Sequence, residues 1–68
     1  MNGIIVYKES KEIIVGEMKD IQTTFTSSPE NGQIELYENL TLKEIQQLMC
    51  ILEPFHEIEH VKIISYKK

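Results

Sequence analysis

The chain has no arginine, no alanine and no tryptophan, and only one cysteine and two prolines in 68 residues. Proteins that hold nucleic acid carry a basic patch and lean on arginine for bidentate phosphate contacts. With eleven acidic residues against seven lysines, a net charge of −4 and no arginine, direct nucleic-acid binding is not expected. The lone cysteine, Cys50, cannot close a disulfide within the chain. Its neighbours Leu48, Met49, Ile51 and Leu52 make it read as a small buried apolar residue. No apolar run approaches the roughly 20 residues of a membrane-spanning helix, and no signal-peptide pattern opens the chain. A cytoplasmic protein with no membrane partner is the expectation. Abundant isoleucine, glutamate and lysine without alanine suits AT-rich coding DNA and is compatible with a phage or mobile-element accessory protein.

A chain of this length buries only about 60% of the surface its unfolded form exposes. One thin core is therefore expected, over a single domain spanning residues 1–68. Cores of this size supply about 3–5 kcal/mol and are commonly reinforced by a disulfide, a metal or a second subunit.

Ile4-Ile5-Val6-Tyr7 and Glu12-Ile13-Ile14-Val15 are short β-branched runs joined by Lys8-Glu9-Ser10-Lys11, the signature of a hairpin. Ile21, Thr23 and Phe25 alternate with Gln22, Thr24 and Thr26, which predicts a third strand with one wet face, entered through a bend at Gly16. The segment Ser27-Ser28-Pro29-Glu30-Asn31-Gly32 is dense in turn formers and predicts an exposed loop. Gln33 to Tyr37 alternates again, giving a fourth strand antiparallel to the third.

The clearest local signal is a helix start. Thr41 and Glu44 have the spacing of a capping box, and Leu40 and Ile45 that of a hydrophobic staple. Leu42, Ile45, Leu48, Met49 and Leu52 follow at helical spacing, until Pro54 ends or kinks the helix near Glu53. His60 to Tyr66 reads as a last strand. The expected fold is α+β: a mostly antiparallel four- to five-stranded sheet with one amphipathic helix packed on one face, in the order ββββαβ.

The strand patterns bear on function. A strand with one solvated face alternates apolar and polar residues. Here Ile4 and Val6 oppose Ile5 and Tyr7; Ile13 and Val15 oppose Ile14 and Met18; Val61 and Ile63 oppose Ile64 and Tyr66. One helix covers one face, so the second requires another cover. Either the sheet curls under its own loop carrying Phe55 and Ile58, or a partner covers it, because large apolar patches mark interaction sites. The second alternative assigns partner binding to Ile5, Tyr7, Ile14, Met18, Ile64 and Tyr66. A homodimer and a further, unidentified protein are the partners it implies.

His56-Glu57-Ile58-Glu59-His60 matches H-E-x-x-H and resembles the zincin metalloproteases. The resemblance implies a hydrolase in which His56 and His60 bind zinc while Glu57 activates water. It spans five residues, Pro54 lies two residues upstream, a strand-like run begins at once, and no third histidine exists. Leu40 to Leu48 is similar to the opening helix of bacterial helix-turn-helix regulators. That family places a recognition helix next, whereas Pro54-Phe55-His56 leads here toward a strand. No catalytic residue, metal or cofactor is assigned. The expected function is a small acidic, non-enzymatic interaction or regulatory module. The alternatives are an acidic mimic of nucleic acid, which needs Glu9, Glu12, Glu17, Asp20, Glu30, Glu35 and Glu38 gathered on one face, and the zinc hydrolase.

Overall fold

The β-branched runs pair as their composition dictates. In the computed structural model, which describes residues 1–27 and 34–65, Asn2–Tyr7 forms strand β1 and Glu12–Glu17 strand β2. They make an antiparallel hairpin with Ile5 opposite Ile14 and Val6 opposite Ile13. Helix α1 (Met18–Ser27), strand β3 (Ile34–Leu40), helix α2 (Leu42–Phe55) and strand β4 (His60–Ile63) follow. The sheet order is β3-β1-β2-β4, with β3 antiparallel to β1 and β4 parallel to β2.

The fold is thus α+β with a four-stranded mixed sheet, and the element order is ββαβαβ. Strands β2, β3 and β4 run in one direction, so α1 and α2 are both crossover helices. The first crossover moves along the sheet from β2 to β3, the second back from β3 to β4. Two crossovers of one hand that move in opposite directions must lie on opposite faces. That is the arrangement found. Ile4, Val6, Ile13 and Val15 pack with Leu40, Ile45 and Leu52 on the α2 face, whereas Ile5 and Ile14 pack with Ile21 of α1 on the other.

Three expectations are corrected here. Residues 18–27 form a helix and not a third strand, so the sheet carries a helix on each face. The strand after the loop pairs with β1, at the opposite edge from β4. The sheet is mixed because a crossover helix brings β4 back parallel to β2. Of the predicted loop, Ser27 ends α1 and residues 28–32 lie outside the described residues.

Helix α1 is threonine-rich, and three of its hydroxyls find partners within it. Thr23, Thr26 and Ser27 donate to the carbonyls of Lys19, Gln22 and Thr23, satisfying themselves on the helix's own backbone. Helix α2 begins as its sequence requires. The Thr41 hydroxyl accepts from the Glu44 amide while the Glu44 carboxylate accepts from the Thr41 amide, and Leu40 and Ile45 are both buried. Pro54 does not stop this helix, which runs one residue further to Phe55. Cys50 is exposed rather than buried. It lies two residues from the buried Leu52, which turns it roughly 200° away around the helix.

Glycine is required where other elements descend onto the sheet. Gly3 and Gly16 are cross-strand partners on the α1 face. A Cβ at Gly3 would lie 2.9 Å from the Met18 sulfur and 3.0 Å from the Tyr37 carbonyl oxygen; one at Gly16 would lie 2.7 Å from Ile64 Cγ1.

Candidate interaction surface

The two helices do not cover the sheet evenly. The backbone of α2 runs closest to β1 and β3 and that of α1 to β1, β2 and β3, and neither approaches the backbone of β4 as closely. All four residues of β4 are exposed, Val61 by 43% and Ile63 by 61%. The register sets Val61 beside Ile13 and Ile63 beside Val15, so this pair shares the α2 face, while Lys62 lies beside Ile14 on the α1 face.

The backbone of β4 is also half used. The amides of His60 and Ile64 donate to the carbonyls of Lys11 and Val15, toward β2. Backbone groups alternate sides along a strand, so those of Val61 and Ile63 point to the outer edge, where no strand of the sheet lies. Among the described residues Lys62 makes no ion pair. Among the described residues, the edge combines outward backbone groups without a partner strand, two exposed apolar side chains on one face and a lysine without an ion pair on the other.

The residues assigned to partner binding from sequence are dispersed. Ile5 and Ile14 are buried beneath α1, and Tyr7 is half-buried against the same cluster. Met18 opens α1, and its sulfur accepts from the Asn39 amide at 3.2 Å. Ile64 rests on Gly16, and Tyr66 lies outside the described residues. Ile5 and Ile14 have their cover within the chain, because α1 lies over them. Val61 and Ile63, on the other side of the last strand, are exposed together with Ile64. Their exposure follows from where α2 sits, which no pattern within residues 60–63 encodes.

The motif around His56 is split by the backbone. His56 caps the C-terminus of α2, Glu57 adopts a left-handed conformation with φ 53°, and His60 opens β4. The two imidazoles therefore do not share a helical face, the geometry the zincin resemblance requires. Among the described residues no group of three or more His, Cys, Asp or Glu side chains is placed to hold a metal ion.

His56 instead meets Glu35, its Nε2 lying 3.6 Å from Oε1. Glu35 also pairs with Lys8 Nζ at 2.9 Å and accepts from the Tyr37 hydroxyl at 2.9 Å. Hydrogen bonds from Lys8 first and Tyr37 second hold the Glu35 carboxyl below its ordinary range. Burial, then the hydrogen bond to Glu35, raises the Tyr37 hydroxyl above its own. This cluster ties the hairpin turn to β3 and the end of α2.

The acids do not gather on one face. Glu12 follows the α1-face side of β2, while Glu35 lies on the α2 face and is engaged by Lys8. Two open depressions flank α1, one of about 280 Å³ lined by Met1, Glu17, Met18 and Lys19 and one lined by Lys19, Gln22, Thr23, Thr26 and Ser27. In the second, the hydroxyls of Thr23, Thr26 and Ser27 are committed to α1 carbonyls, so none is set beside a base as a nucleophile. No helix among the described residues is long and apolar enough to cross a membrane. Comparison with family models, with curated proteins and with solved structures gives no match.

Proposed function

We propose that the chain is a small, non-enzymatic protein–protein interaction module that engages its partner through the outer edge of β4. The observation that carries this reading is the exposed strand itself: an apolar pair on one side, outward backbone groups at Val61 and Ile63, and, among the described residues, no helix backbone close above it. Exposed edges of this kind pair with added strands unless they are blunted. At the opposite edge, β3 carries the engaged Glu35 and an extra residue between Tyr37 and Leu40 where it pairs with Asn2 to Ile4 of β1, and irregularities of this kind discourage pairing.

A second apolar feature, Ile51 and Phe55 at i, i+4 on α2, is 61% and 77% exposed. It offers side chains alone, and the Phe55 ring already meets His56 edge-on at 4.8 Å.

The edge reading is tested with Ile63→Pro, which removes an outward N–H and leaves the amides facing β2 intact. Phe55→Ser serves as the control on α2. Proteins captured from a lysate of the source cell are compared after confirming that both variants melt like the parent. A partner retained by the parent and by Phe55→Ser but lost with Ile63→Pro supports the reading. A partner retained by Ile63→Pro and lost with Phe55→Ser overturns it in favour of the helix.

A further inference from the structure

Charge is distributed unevenly along the chain. Residues 1–59 hold all eleven acids and four lysines, net −7, whereas residues 60–68 hold three lysines and no acid, net +3. Residues 60–65 of that segment are described; their one lysine, Lys62, is exposed within β4 and unpaired among the described residues. Resting on the edge reading above, we infer that the partner of β4 is an extended segment of another protein that alternates apolar with acidic residues.

The alternation follows from the pleat. Residues of an added strand that lie opposite each other share a face. Those opposite Val61 and Ile63 lie on the α2 face and meet apolar side chains. Those opposite Lys62 lie on the α1 face and meet its ammonium. The attraction is confined to the Lys62 end, because Glu12 sits beside His60 and Glu59 precedes it. A second copy is a poorer occupant. Paired about a two-fold axis normal to the sheet with Val61 opposite Ile63, it sets Lys62 opposite Lys62, and like charges directly opposite are destabilising.

The test uses the full chain and two short blocked peptides, one alternating valine with glutamate and the other valine with lysine. Binding is followed by fluorescence anisotropy, and the site by amide hydrogen exchange. The glutamate peptide binds about fivefold more tightly than the lysine peptide, as an exposed charge pair allows, and it protects the Val61 and Ile63 amides. Lys62→Glu reverses the preference, and added salt narrows it. Equal binding of both peptides, or a preference for lysine that survives in the parent, overturns the inference. So does protection of the Val61 and Ile63 amides by self-association without peptide. If neither peptide binds while Ile63→Pro still loses the captured partner, the acidic-strand inference falls and the edge reading stands. If capture is indifferent to Ile63→Pro, both fall.

Discussion

Ile13 and Val15 on β2 lie beside Val61 and Ile63 on β4, on the same face of the same sheet, yet the first pair is buried and the second bare. Both pairs are β-branched, and both strands have apolar residues on both faces. The difference lies in what is above them. Four strands about 4.8 Å apart span roughly 14 Å between the outer axes, and a helix is about 10 Å across. One helix per face therefore leaves a strand beyond its reach. Helix α2 runs closest to β1 and β3, and its Ile45 and Leu52 share one buried cluster with Ile13 and Val15 of β2. A two-faced apolar strand thus means a complete sandwich at the centre of this sheet and an open edge at its margin.

The contrast is sharpest in energy. Ile13→Ala should cost about 2–5 kcal/mol, the usual range for emptying a buried aliphatic site, whereas Ile63→Ala should fall within about 0.5 kcal/mol as a surface change. Equilibrium urea denaturation measures both. Because the first variant approaches the whole stability of so small a core, Ile13→Val, at about 0.5–1.5 kcal/mol, keeps the comparison readable. Equal costs at positions 13 and 63 would mean that β4 is covered after all.

A smaller difference is expected on the other face. At Gly3 an added methyl meets the Tyr37 backbone oxygen as well as the side chains of Met18 and Ile21, whereas at Gly16 it meets only the side chains of Ile64 and Ser65. Backbone cannot rotate aside. Gly3→Ala should therefore cost about 1–3 kcal/mol through overpacking, and Gly16→Ala less, because Ile64 turns outward. Thermal melting of the two variants tests the order, and a reversal would place the rigid contact at the edge.

What could be read from sequence follows the same division between local and distant causes. The hairpin and the α2 capping box are specified by adjacent residues, and both form as expected. Helix α1 was hidden because its residues fit two periods. Ile21, Thr23 and Phe25 alternate like a strand, while Met18, Ile21 and Phe25 have helical spacing, and threonine favours the first reading. Tertiary cover decided for the helix, with Ile21 wholly buried against Ile5 and Ile14. The edge was hidden for a different reason. Strand order and the position of a crossover helix are settled by packing among elements far apart in sequence, so the exposure of Ile64 was anticipated while that of Val61 and Ile63 was not.

The smallest expected effect concerns Glu35, whose partners fasten β3, the other edge, where β4 has no such tie. Its carboxyl is held below the ordinary range, first by the Lys8 hydrogen bond and next by that of Tyr37. A carboxylate with a lowered folded pKa contributes stability above its unfolded pKa and loses it as pH falls through the folded one. Glu35→Gln should therefore be less stable than the parent at neutral pH by less than about 1 kcal/mol, since the pair with Lys8 is partly exposed. The gap should close as the solution is acidified and narrow in high salt. Denaturation across the acid range, parent against variant, isolates this residue from the other acids. A gap that stays constant as pH falls would show that the substitution acts through shape rather than charge. The tyrosine gives an independent reading. Burial is the first cause of the raised Tyr37 hydroxyl, followed by its hydrogen bond to Glu35 and that carboxylate's charge. Removing the charge should bring its alkaline titration, followed by ultraviolet absorbance, part of the way back toward an ordinary tyrosine, with burial holding the rest. A Tyr37 titration unchanged in Glu35→Gln would mean that the two side chains are not coupled, and the tie across β3 would be packing alone.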